Sequence, residues 1–87
     1  MKVKTVYAIC LQDESVVSST AAVLCVAETY KLAYEYLEKR ILAYVNGEYV
    51  DIWDVINDPT DNIVRLERRK DGERIALYIQ TMSYLTK

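Results

Sequence analysis

Histidine and phenylalanine are both missing from these 87 residues, whereas tyrosine occurs eight times and tryptophan once. Without histidine there is no side chain whose unperturbed pKa lies near neutrality, which removes the commonest general base and the commonest metal ligand. Nucleophile candidates remain in Cys10, Ser15, Ser18, Ser19, Thr20 and Cys25. Each needs an activating base, and no lysine spacing points to one. No catalytic residue is assigned, and the expectation is a protein that is not an enzyme. With two glycines and one proline the chain holds no low-complexity segment. The longest uninterrupted apolar run, residues 21–27, falls far short of the roughly 20 residues a spanning helix requires, so no membrane crossing is expected. The N-terminus, Met1-Lys2-Val3-Lys4, leads into mixed residues without the apolar stretch of a secretory signal, which points to a cytoplasmic location. Cys10 and Cys25 sit in apolar runs at a spacing that matches no zinc or redox pattern, so buried, reduced thiols are expected.

What is present fits one folded domain over residues 1–87: 52% hydrophobic and 28% charged residues, with a net charge of −2 that gives no global attraction to nucleic acid or anionic lipid. Residues 3–12 alternate Val3, Thr5, Tyr7, Ile9 and Leu11 with Lys4, Val6, Ala8, Cys10 and Gln12, a strand pattern repeated over 20–27. The two make a hairpin with a longer loop. Both faces are apolar near their middles, as expected of strands covered on two sides.

Thr29 is placed to cap a helix and Gly47 to close it. At 100° per residue, Tyr30, Ala33, Tyr34, Leu37, Ile41, Tyr44 and Val45 share the core stripe, and Leu32, Tyr36 and Ala43 form a second apolar patch roughly opposite. Tyr49, Ile52, Trp53 and Ile56 keep helical spacing, which suggests a short second helix ended by Asp58-Pro59. Residues 63–70 and 73–83 read as strands joined by Asp71-Gly72. A two-residue turn there sets Leu66 opposite Leu77 on the core face and Arg65 opposite Tyr78 on the other. The expectation is an α+β fold: an antiparallel sheet of about four strands in ββα(α)ββ order, with one main helix packed on one face.

The strand over 21–27, the Thr29 cap, Lys31, Ala33, Tyr36, Leu37 and Glu38 on the helix, and the late hairpin together resemble small proteins of phages and other mobile elements. The resemblance lies in element order and carries over no functional residue. It implies a small non-enzymatic modulator of host proteins, anti-defence inhibitors included.

Three clusters could bear function. Asp51, Asp54, Asp58 and Asp61 with Asn57 and Asn62 concentrate oxygen ligands, but Ile63 stands where a calcium loop needs glycine. Helix charging and turn chemistry account for them, so neither metal nor cofactor is expected. Arg65, Arg68, Arg69, Lys70 and Arg74 lie on one hairpin with Tyr78, and Arg65, Arg69, Arg74 and Tyr78 could hold nucleic acid or phosphate. Glu67, Asp71 and Glu73 dilute that charge, which makes it the second reading. The first is a protein-binding surface of Leu32, Tyr36 and Ala43 with Trp53 as an anchor, beside the spare apolar face of the first two strands. Its partner is either a foreign protein or a second copy of the chain.

Overall fold

The computed structural model describes residues 2–14, 21–56 and 63–86, with the backbone only for Tyr84 and Thr86. The readings placed on Ser15, Ser18, Ser19, Thr20, Asn57, Asp58, Pro59, Asp61 and Asn62 lie outside the described residues. The chain runs β1 (Lys2–Asp13), β2 (Ala22–Ala27), α1 (Tyr30–Val45), β3 (Trp53–Val55), β4 (Ile63–Arg68) and β5 (Arg74–Thr86). The five strands form one antiparallel sheet in the order β2-β1-β5-β4-β3, and α1 lies across one face of it. The fold is α+β, with one strand more than the sequence pattern suggests.

The additional strand replaces the expected second helix. After α1 the chain reverses through Gly47 at φ 75° and Val50 at φ 80°, two left-handed residues that no helix accommodates. The edge of β4 then takes the segment as a strand: Arg69 N–H donates to the Ile52 carbonyl at 3.0 Å and Ile56 N–H to the Arg65 carbonyl at 3.0 Å. Asp51 and Asp54 therefore charge no helix end. They pair with Arg68 and Arg69 instead.

Both ends of α1 are built as its sequence indicates. Thr29 is extended, and its Oγ1 accepts from Leu32 N–H at 3.1 Å. At the other end Glu48 N–H donates to the Ala43 carbonyl and Gly47 N–H to that of Tyr44, the paired bonds of a Schellman cap. Ala33 and Leu37 are buried against the sheet, joined by Ile41 and Tyr44. The core comprises these with Ile9, Ala27, Trp53, Val64, Leu66, Ile75 and Leu77.

β1 and β2 form the expected hairpin, pairing Tyr7 with Ala27 and Ile9 with Cys25 before a bulge moves Cys10 opposite Val23. They are not both covered on two sides. β2 is an edge strand, and among the described residues no element packs on the face away from α1. On that back face Val6, Ala8, Cys10 and Ala76 are nonetheless buried. Each is small enough to be shielded by its neighbours: Ala8 lies between Val26 and Gln80, and Cys10 between Val23 and Tyr78.

The late hairpin turns through four residues rather than two. Arg68 N–H donates to the Glu73 carbonyl at 2.7 Å and Gly72 N–H to the Arg68 carbonyl at 2.8 Å, with Gly72 at φ 77°. The pairing is therefore Leu66 with Ile75, Val64 with Leu77, Arg65 with Ala76 and Ile63 with Tyr78. This departs from the expected register by two residues. Because side chains alternate with period two, a slip of two keeps every residue on its face, and Leu66 remains in the core.

Candidate protein-binding surface on the helix

α1 is wider in apolar character than the sheet can cover. Tyr30, Leu32, Tyr34, Tyr36 and Leu42 all remain substantially exposed, Leu42 the most at 58%. Leu32 and Tyr36 lie on one flank, with Tyr30, Tyr34 and Leu42 on the other. The second flank forms a concavity. Between it and the ends of β3 and β4 opens a groove of about 500 Å³, lined among the described residues by Tyr30, Tyr34, Leu37, Ile41, Leu42, Val55 and Val64, with Glu38 as the one charged residue of that set. Its size falls within the range of ligand pockets, and its walls are mostly apolar and aromatic.

Tyrosines rigidify one end. The Tyr30 ring meets the edge of Tyr7 at 5.8 Å and stacks with Tyr34 at 6.4 Å. Two χ angles locked this way present a large area at low entropic cost on binding. At the far end of α1, Tyr44 packs on Tyr49 at 4.8 Å and Trp53 at 5.6 Å, while Arg40 donates to the Tyr49 hydroxyl at 2.8 Å. Burial pushes the Tyr44 hydroxyl pKa up. These rings belong to the packing beneath the helix terminus.

The four residues proposed from sequence for partner contact are divided by the structure. Leu32 and Tyr36 are exposed, but Trp53 is only 7% exposed and Ala43 is likewise buried, so neither can anchor a partner. Trp53 fails as an anchor because its strand pairs beside β4 and turns the indole under α1, where Arg68 lies over the ring at 5.4 Å. The groove residues Tyr30 and Tyr34 were placed in the core stripe by periodicity, and Leu42 in neither patch. A signal was present: Ala33 and Tyr34 are 100° apart on the helix, and tyrosine, whose hydroxyl favours a wet edge, occupies the outer position.

On the basic hairpin each arginine meets a carboxylate. Arg65 lies 3.2 Å from Glu14, Arg69 is 2.7 Å from Asp54, and Arg74 is 2.9 Å from Glu67. Arg68 joins Asp71 at 2.6 Å and Glu73 at 2.7 Å. Tyr78 faces Ile63 across the ladder instead of Arg65. The Arg69 hydrogen bonds hold the Asp54 carboxyl below its ordinary range, and those of Arg68 hold Asp71 down to about 2. Any phosphate would compete with carboxylates already in place.

Among the described residues no three potential metal ligands gather at one point, and no helix is long and apolar enough to cross a membrane. Comparison with known proteins returns no match among family models, curated proteins or solved structures.

Proposed function

We propose that this chain is a small non-enzymatic protein-binding module that takes an apolar segment of a partner protein into the groove between α1 and the β3–β4 edge. One observation carries the reading: a preformed, largely apolar concavity of about 500 Å³, with tyrosines already stacked at one end and, among the described lining, one carboxylate, Glu38. An amphipathic segment with two or three apolar anchors and a lysine or arginine to meet Glu38 has the matching chemistry. A modulator of this kind acts by occupying a surface of its target, which agrees with the resemblance to small proteins of mobile elements. The basic hairpin has no comparable observation in its favour.

Selection of displayed peptides against the whole chain tests the reading, with Leu42→Lys as the counter-selected variant. Leu42 is exposed, so lysine there leaves the fold intact while placing a charge at the groove. Peptides that carry apolar anchors beside a basic residue and lose at least about tenfold in affinity on Leu42→Lys are expected. Binders indifferent to both Leu42→Lys and Tyr34→Lys would overturn it.

A further inference from the structure

Among the described residues, the outer edge of β2 carries no neighbouring strand. Natural edge strands are blunted by lysine, proline or an inward charge, because open N–H and C=O groups otherwise recruit another strand. β2 reads Ala22-Val23-Leu24-Cys25-Val26-Ala27, with no charge, proline or glycine. Among the described residues nothing pairs with its outer side. Val23 and Val26, 56% and 54% exposed, stand beside that edge on the back face.

The strand is also symmetric about its centre. Apart from the middle pair its sequence is a palindrome, Ala-Val-(Leu-Cys)-Val-Ala. The bulge extends the symmetry to the faces. Ala22, Cys25 and Ala27 pair with Leu11, Ile9 and Tyr7 on the helix side, Leu24 packs on the same core, and Val23 and Val26 pair with Cys10 and Ala8 on the back face. Read from either end, the order is helix side, back, helix side, helix side, back, helix side. Without the bulge a six-residue strand would alternate strictly and its two ends would point to opposite faces.

We infer that two copies of this chain associate through β2, antiparallel about a two-fold axis between Leu24 and Cys25, giving one continuous ten-stranded sheet. In this register Ala22 meets Ala27, Val23 meets Val26 and Leu24 meets Cys25 of the second copy, every pair on a common face. Such an interface is isologous, as a closed dimer requires, and a foreign strand would have no reason to match a palindrome. Charge agrees. Glu28, next after the strand, falls opposite Ala21 of the second copy and is neutralised within its own chain by Lys4 at 3.7 Å. On the back face the paired valines of the two copies would cover each other, burying side chains that are 56% and 54% exposed in the single chain.

Sedimentation equilibrium of the full chain between about 1 and 200 µM tests this directly. The expected mass is twice 10.1 kDa, with Val26→Lys weakening association by about tenfold or more, since it removes the apolar Val23–Val26 pairs and puts lysine on the edge, as strands that resist pairing do. Leu42→Lys, in the separate groove, should leave the mass unchanged, so the two proposals fail independently. In a mixed isotope-labelled sample, intermolecular contacts between Val23 and Val26 methyls should report the register. If Val26→Lys does not fold, exchange protection of amides 22–27 that rises with wild-type concentration serves instead. A wild-type mass of 10.1 kDa at every concentration, a dimer insensitive to Val26→Lys, or flat β2 protection would each overturn the inference.

Discussion

Replacing Trp53 with alanine should come close to unfolding the protein. The indole is 7% exposed, packs in the cluster with Leu66, Ile75 and Leu77, meets the edge of Tyr44 at 5.6 Å and lies under the Arg68 guanidinium at 5.4 Å. A buried aromatic removes roughly 150–250 Å² from water, worth about 4–6 kcal/mol at 25 cal/mol per Å² as an upper bound. Truncations of buried tryptophan cost about 3–5 kcal/mol in practice. A domain of 87 residues has only about 4–13 kcal/mol in total, so the loss consumes from about a quarter to all of it. Urea unfolding followed by far-ultraviolet circular dichroism is the appropriate assay, because the substitution deletes the only tryptophan fluorophore. The midpoint should fall by roughly 2 M or more, and Trp53→Phe, which keeps a ring beneath α1, should lose less than half as much. If Trp53→Ala unfolds within about 0.5 M of the wild type, the indole is not core and the packing described above is wrong.

Acid should loosen the late hairpin only once the pH falls below about 4. Asp71 is held from 3.8 down to about 2, chiefly by the Arg68 hydrogen bonds. A folded pKa below the unfolded one means its stabilisation is complete above about pH 4 and is lost as pH falls toward 2. A carboxyl-carbon titration of Asp71 with its midpoint at 3.8 would contradict this. Val50 is 92% exposed at φ 80°, a conformation that costs a β-branched residue about 1–2 kcal/mol. Val50→Gly is therefore expected to raise stability by up to about 1 kcal/mol despite the flexibility glycine adds, and a loss in the same urea assay would refute the strain. Cys10 is buried, its thiol pKa raised by that burial, whereas Cys25 is only partly buried. A thiol reagent under native conditions at low protein concentration should modify Cys25 first, as peptide mass mapping would show, and equal rates would contradict the assigned burial.

Local chemistry was enough to determine the helix. Thr29, the apolar period and Gly47 fix where α1 starts, which way it faces and how it stops, because capping and amphipathicity act within a few residues of each other. The alternation in the late hairpin likewise determined which residues face the core, since face depends on a parity that a slip of two leaves untouched, whereas in β2 the bulge sets Leu24 and Cys25 on one side against strict alternation. Register was different. Asp71-Gly72 is compatible with either a two-residue or a four-residue turn, and in the four-residue turn observed Arg68 bridges Asp71 and Glu73, a contact no spacing rule contains. For residues 49–56, Tyr49, Ile52, Trp53 and Ile56 satisfy helical spacing as well as the observed path does. The free edge of β4, a long-range partner, decided between them. The candidate surface divides the same way. An excess of apolar area on α1 was visible as two patches on one helix, but which flank opens into a groove depends on where the sheet ends beneath it. Trp53 marks the limit of sequence reasoning here: composition presents it as an anchor, and only the pairing of its strand turns it inward.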